Sequence, residues 1–131
     1  MTENTLPILV VEDNEMNQHL ILRQLQRVGF AHVALVGNGV DALAWLEKNQ
    51  CLLIIADCQM PLMDGYEMTR QIRVREKATG QHLHIIALTA SVMDDDRERC
   101  AAAGMDGYIS KPTQISNLQE ILQKWLPTKS P

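Results

Sequence analysis

Aromatic side chains make up only 4% of this sequence, one Phe, two Tyr and two Trp in 131 residues. No basic stripe is interleaved with them, and sixteen acidic residues outnumber twelve Lys and Arg for a net charge of -4. Direct binding to nucleic acid is therefore disfavoured. Long apolar runs are also missing: Ile8 to Val11 and Leu52 to Ala56 fall far short of the roughly 20 residues of a membrane-spanning helix. The start, Met1-Thr2-Glu3-Asn4, lacks the basic residues and apolar stretch of a secretion signal, so a cytoplasmic location is expected. Cys51, Cys58 and Cys100 are odd in number and show no CxxC spacing, which points away from a disulfide framework or a zinc site. Cys58 reads as a small buried packing residue. No GxGxxG follows the first apolar run, and Gly37 and Gly39 do not supply one, so a dinucleotide-binding domain is excluded.

What is present fits one globular domain over residues 1–131, with a core from about residue 7 to about residue 126. Apolar residues form 46% of the chain and charged residues 21%, the balance of a soluble protein. Ile8 to Val11, Leu52 to Ala56 and Ile85 to Leu88 are continuous apolar runs, as expected for strands covered on both faces. His32 to Val36 and Gly107 to Ser110 are weaker and belong nearer the sheet edges.

Between the strands, Met16, Leu20, Leu25 and Val28 recur at helical spacing, as do Val40, Leu43, Ala44 and Leu46. Asp64-x-x-Glu67 and Ser91-x-x-Asp94 resemble capping boxes, Asn38 caps a helix beginning at Gly39, and Gly29 and Gly104 act as stops. A last helix is predicted from about Thr113 to about Trp125, with Ile115, Leu118, Ile121, Leu122 and Trp125 inward, ended by Pro127. Five alternations of strand and helix predict an α/β fold, a doubly wound parallel sheet.

In such a sheet, ligands bind beyond the carboxyl ends of the strands, where strand order reverses. Glu12 and Asp13 end the first strand, Asp57 the third and Thr89 the fourth, while Lys111 follows the fifth. Three converging carboxylates repel one another unless a cation neutralises them, and hard oxygen donors suit Mg²⁺. Taken alone, Glu12 and Asp13 read equally well as acids at a helix start. Asp57 directly follows an apolar strand, and a carboxylate there can attack phosphorus to form an aspartyl phosphate. Lys111 would meet a phosphate oxygen and the Thr89 hydroxyl would donate to another. In isolation, a surface lysine and a capping threonine are the commoner readings of those two.

Together these residues resemble the receiver domains of two-component response regulators and hybrid sensor histidine kinases. The resemblance is carried by Val11-Glu12-Asp13-Asn14, by the segment from Asp57 to Gly65, by Leu88-Thr89-Ala90 and by Gly104 to Tyr108 leading into Lys111-Pro112. It implies a flavodoxin-like sheet of strand order 2-1-3-4-5 with five helices. It also implies phosphorylation of Asp57 by a histidine kinase or histidine phosphotransfer protein, within a phosphorelay. Mg²⁺ would be held by Asp13, Asp57 and the Gln59 backbone carbonyl, with Glu12 acting directly or through water. Thr89 and Tyr108 would be the switch pair, Lys111 the phosphate anchor, and a cis peptide would precede Pro112.

Phosphorylation is then expected to remodel the face of the fourth helix, fifth strand and fifth helix. A domain of this kind catalyses its own phosphorylation and dephosphorylation rather than turning over a substrate. Glu12 stands where many members carry Asp, and Glu12-Asp13-Asn14-x-x-Asn17 looks more like receivers attached to hybrid kinases than those of transcription factors. The chain reads as a stand-alone receiver or as a piece of a larger hybrid kinase, membrane-anchored or not, without membrane contact of its own. Leu62 and Met63 are expected in an exposed loop where a histidine-bearing helix could dock, although the Met reads equally well as plain packing. His19, His32, His82 and His84 lack metal-ligand spacing in any one helix and read as surface or edge residues. Two alternatives differ in class. An aspartyl-nucleophile phosphatase of the haloacid-dehalogenase kind is disfavoured because Gln59 occupies the place of its second acid, and a degenerate receiver acting only as a binding module would not need the full residue set.

Overall fold

A computed structural model describes residues 6–60, 62–89, 94–111 and 113–125. Strands and helices alternate as β1 (Ile8–Val11), α1 (Glu15–Arg27), β2 (Val33–Val36), α2 (Gly39–Lys48), β3 (Leu53–Asp57), α3 (Gly65–Thr79), β4 (Ile85–Thr89), α4 (Asp94–Ala103), β5 (Gly107–Ser110) and α5 (Ile115–Trp125). The five strands are parallel in the order β2-β1-β3-β4-β5. The two weakest apolar segments are indeed the edge strands. Chain order reverses between β1 and β3, which opens a crevice at their carboxyl ends.

Side chains on a strand alternate between faces, and the two core layers follow that period. Leu9, Val11, Ile54, Ala56, Ile85 and Ala87 pack with Leu43, Met68, Ile72 and Cys100, so α2, α3 and α4 cover one face. Ile8, Val10, Leu53, Ile55, Ile86 and Leu88 pack with Ile21, Leu25, Leu118 and Leu122, so α1 and α5 cover the other. Burial of each such Ile or Leu contributes roughly 2 kcal/mol, which makes the central strands the best-held part of the chain.

Helix starts agree with the expected caps at two places. The side chain of Asn38 accepts from the Asp41 N–H at 2.8 Å, and that of Asp64 accepts from the Glu67 N–H at 2.9 Å. Glu67 does not return a bond to complete the box; its carboxylate takes Arg70 and Gln71 instead. Gly29 and Gly104 both have φ near 105° (105° and 104°), a conformation in which a side chain is strained, so both end their helices as expected.

The inward face of α1 differs from the expectation. Met16 is 80% exposed and Leu20 37%, while Ile21 and Leu25 are buried. At 100° per residue, Met16 lies about 140° and Leu20 about 100° around the helix from Ile21, so they cannot share its buried side. Likewise α2 buries Ala42 and Leu43 and exposes Val40 and Ala44, and Ile115 at the start of α5 is exposed. The expectations for Ser91 as a cap, for Pro112 and for Pro127 lie outside the described residues.

Candidate functional site

The register of the sheet sets the level of each functional side chain. Val11 pairs with Ala56, so the next residues, Glu12 and Asp57, emerge side by side at the crevice. Asp57 is opposite Leu88, Thr89 is opposite Ser110, and Lys111 follows at once. The Lys111 N–H donates to the Thr89 carbonyl at 2.8 Å, which extends the ladder by one bond and delivers the lysine to the same edge.

Glu12 is completely buried, and a shell of amides from the first turn of α1 receives it. Its Oε2 accepts from the Asn14 N–H at 3.1 Å and from Asn17 Nδ2 at 3.4 Å, while Gln18 Nε2 donates to its backbone carbonyl at 2.6 Å. Asn14 also caps α1 by accepting from the Asn17 N–H at 3.0 Å. This cap was not anticipated, although the spacing Asn14-x-x-Asn17 carries its signal.

Asp57 is buried at the end of β3. Its Oδ1 accepts from the Gln59 N–H at 3.1 Å, and its Oδ2 accepts from Lys111 Nζ at 2.7 Å. Lys111 Nζ also lies 3.3 Å from Glu12 Oε1. Burial by itself lowers the Lys111 pKa, but the hydrogen bond and attraction of Asp57, followed by those of Glu12, outweigh it and hold the ammonium above its usual value. For Glu12, burial pushes the pKa above the usual value against the opposing bond from the Asn14 N–H, and the charge of Asp57 adds to the rise.

Glu12, Asp13 and Asp57 bring one carboxylate oxygen each within 4.8 Å of one another. Three carboxylates against one ammonium leave two uncompensated negative charges, the charge of one divalent cation. Glu12 Oε1 is buried without a hydrogen-bond partner. A hard-oxygen donor set, with a buried Glu12 oxygen that makes no hydrogen bond and faces the Lys111 ammonium at 3.3 Å, and that charge surplus fit Mg²⁺.

The chain passes close behind this edge. The Gly65 N–H donates to the Cys58 carbonyl at 3.1 Å, and a Cβ on Gly65 would stand 2.5 Å from the Asp57 carbonyl oxygen. A side chain there would drive α3 away from the end of β3. A cleft of 240 Å³ runs over the edge, lined by Asp57, Gln59, Thr89, Lys111 and, from α3 and α4, Tyr66 and Arg99. The Arg99 guanidinium sits 4.4 Å from the centre of the Tyr66 ring, a contact with no local sequence signal. Cys58 is buried, as expected, and burial pushes its thiol up to about 12.

Tyr108 is not in that cleft. It pairs with Ala87, two positions before Thr89 on the ladder, and it lines a separate cavity with Asn117, Glu120 and Ile121 of α5. Arg97 lies 5.2 Å from its ring centre. Leu62 is 81% exposed, as expected, whereas Met63 is half-buried and packed at the start of α2, its carbonyl accepting from the Gly39 N–H at 3.2 Å.

The family model for the response regulator receiver domain matches residues 8–123. The chain belongs to this family. This receiver domain is 43% identical over 122 residues to the hybrid signal transduction protein dokA of Dictyostelium discoideum, a match covering 92% of the chain and 7% of that relative's length. It is 42% identical, with a TM-score of 0.83, to the receiver domain of the sensor histidine kinase PA1611 from Pseudomonas aeruginosa PAO1, covering 95% of this chain and 100% of that one. That crystal structure has a magnesium ion coordinated in its active site cleft. A chain in the co-crystal of the Saccharomyces cerevisiae histidine phosphotransfer protein Ypd1 with the receiver domain of Ssk1 is 28% identical, with a TM-score of 0.85 and coverage of 95% and 91%. The receiver fold and strand order expected from the resemblance are those observed. No helix among the described residues is long and apolar enough to cross a membrane.

Proposed function

We propose that this receiver domain accepts a phosphoryl group on Asp57 from the phosphohistidine of a histidine kinase or phosphotransfer protein. The observation that carries the reading is the contact of Lys111 Nζ with both Asp57 Oδ2 (2.7 Å) and Glu12 Oε1 (3.3 Å), a cation held where charge would develop. An Asp57 carboxylate oxygen attacks phosphorus, a P–O bond forms, the P–N bond breaks, and the imidazole leaves with the electron pair and takes a proton. Lys111 then transfers its ammonium from the carboxylate to a phosphoryl oxygen, and the Thr89 hydroxyl donates to another. The cleft admits the phosphoryl group, while the Gln59 N–H orients Asp57 through Oδ1.

Asp13, Asp57 and the Gln59 carbonyl, with Glu12 directly or through water, would hold Mg²⁺. When bound, Mg²⁺ offsets the negative charge on the transferring oxygens. The new phosphoryl group, close to two negative charges, draws Thr89 and lets Tyr108 rotate inward, changing the α4–β5–α5 face that a partner reads. As in the relatives, the domain of residues 1–131 would serve a larger phosphorelay protein or act alone, on the cytoplasmic side. Kinship with receivers of hybrid kinases supports that context.

The test is intact mass after incubation with acetyl phosphate, with and without Mg²⁺, for the native chain and Asp57→Ala. A Mg²⁺-dependent gain of one phosphoryl group, absent in the variant, is expected. No gain by a folded, Mg²⁺-binding protein would leave a binding module.

A further inference from the structure

At the opposite end of the sheet, where β4 and β5 begin, a second group of ligand-type side chains converges. His82 and His84 enter β4 at alternate positions, and Asp106 enters β5. The length of β4, about 13 Å from Ile85 to Thr89, separates this group from the acidic cluster. His82 Nε2 lies 2.7 Å from Asp106 Oδ1, and His84 Nδ1 lies 3.8 Å from Asp106 Oδ2. One donor atom from each of the three falls within 4.8 Å of the others. By sequence alone His82 and His84 read as surface or edge residues, because the third member is supplied by a neighbouring strand.

Three features set this group apart from a chance surface pair. His84 Nδ1 is buried and has no hydrogen-bond partner, although its ring is held against Trp125 with centroids 4.9 Å apart. Buried ring nitrogens are normally satisfied, so this one is an open ligand position. The Asp106 carboxylate is fixed from behind: its Oδ2 accepts from Arg73 Nη2 at 2.9 Å and from the Ile85 N–H at 2.8 Å, leaving Oδ1 turned toward His82. The other nitrogen of His82, Nδ1, faces Glu76 Oε1 at 4.0 Å. At that distance Glu76 is a charge facing the ring and not a hydrogen-bond partner; a shortening of this contact would give the carboxylate-backed imidazole usual for metal-bound histidines.

We propose that His82, His84 and Asp106 form a site for a borderline divalent transition cation, Zn²⁺ foremost, separate from the acidic cluster. Two imidazole nitrogens and one carboxylate oxygen suit Zn²⁺ and its first-row neighbours rather than Mg²⁺ or Ca²⁺. Bonds of about 2.1 Å in a tetrahedron place donor atoms about 3.4 Å apart, so the 2.7 Å between His82 Nε2 and Asp106 Oδ1 would open by about 0.7 Å on binding. Asp106 and Glu76 against Arg73 leave one net negative charge, which favours a cation. On binding, the His82 to Asp106 hydrogen bond is exchanged for two bonds to the metal, and the fourth position stays open to water. The ion would staple the α3–β4 junction to the start of β5 and, through His84 and Trp125, to the end of α5. The imidazoles must be neutral to bind, so affinity falls on acidification.

Calorimetric titration with ZnCl₂ in saturating Mg²⁺, backed by the visible absorption of Co²⁺, tests the proposal on the native chain, His82→Ala, His84→Ala and Asp13→Asn. One equivalent is expected to bind, at least tenfold more weakly in either histidine variant and unchanged in Asp13→Asn. The Co²⁺ adduct should show the intense bands of a nitrogen-containing, low-coordinate site. His82 is half-exposed, so His82→Ala keeps its fold even if His84→Ala does not. Absence of saturable Zn²⁺ binding, binding indifferent to His82→Ala, or binding abolished by Asp13→Asn would each overturn the site.

Discussion

Lys111 and Asp57 stand 54 positions apart in the chain, one just beyond β5 and the other at the end of β3 with β4 between, yet Nζ and Oδ2 meet at 2.7 Å. The ammonium is the sole cation on the described site residues Glu12, Asp13, Asp57, Thr89 and Lys111. Its removal by Lys111→Met is expected to tighten Mg²⁺ binding several-fold, because an ion no longer competes with a fixed positive charge. Phosphoryl uptake from acetyl phosphate should slow by about tenfold or more, since a positioned charge is lost where the phosphoryl oxygens gather. Calorimetry and intact mass against time measure the two effects, and a parallel loss of both would contradict this division of roles.

Glu12 has a folded-state pKa above its usual 4.5, through burial first and the charge of Asp57 in addition. An acid shifted upward binds more protons folded than unfolded, so the metal-free protein gains stability as pH falls from neutral through the folded pKa toward 4.5. Glu12→Gln keeps an acceptor for the Asn14 N–H and removes the titration. In metal-free buffer its Tm should exceed the native value by a few degrees at neutral pH, with the gap closing toward pH 4.5. Melting curves across pH check the sign; a gap that widens on acidification would refute it.

Gly65→Ala places a Cβ 2.5 Å from the Asp57 carbonyl and 3.2 Å from Cys58 Cα. Backbone on both sides must shift, at a cost of about 2 kcal/mol. Urea unfolding should show that loss, together with slower phosphorylation because the end of β3 has moved. Gly37→Ala, where no atom lies within 4 Å, is the matched control.

Arg73 joins α3 to the starts of β4 and β5. It bonds the carbonyls of Gly104 and Leu83 and the carboxylates of Glu76 and Asp106 at 2.7 to 2.9 Å. Truncation to Ala strands two mostly buried carboxylates and is expected to cost about 3 kcal/mol. Denaturant unfolding measures it, and phosphoryl uptake at a temperature where the variant is folded should remain close to native.

Met16 on α1 and Leu62, which precedes α3, are exposed apolar side chains, and under the proposed function they would meet a histidine-bearing helix. Leu62→Asp and Met16→Asp should slow transfer from a phosphotransfer protein about tenfold while leaving uptake from acetyl phosphate intact. Equal slowing with both donors would mean that the substitutions act on the chemistry and not on docking.

Much of this domain was legible before its structure. Continuous β-branched runs marked β1, β3 and β4, because a strand covered on both faces has no polar positions to alternate. The capping roles of Asn38 and Asp64 and the stops at Gly29 and Gly104 were readable because caps and left-handed turns are local events, decided within a few residues. Glu12, Asp13, Asp57, Thr89 and Lys111 could be placed at one edge of the sheet because each ends or directly follows a recognisable strand.

The sequence by itself determined the alternation of elements, the residues at the strand ends and the charge surplus they carry, since all three depend on local order and composition. Tertiary structure decided which side of α1 faces the sheet, turning Met16 and Leu20 outward and Ile21 inward. It decided that Tyr108 packs on the α4 side of β5 with Arg97 over its ring, outside the cleft of Asp57, and that Arg99 covers Tyr66. It also decided that His82 and His84 meet Asp106, twenty-two residues beyond His84, at one corner of the sheet. Those outcomes depend on strand register and on which helix packs where, and no local period encodes a contact between neighbouring strands.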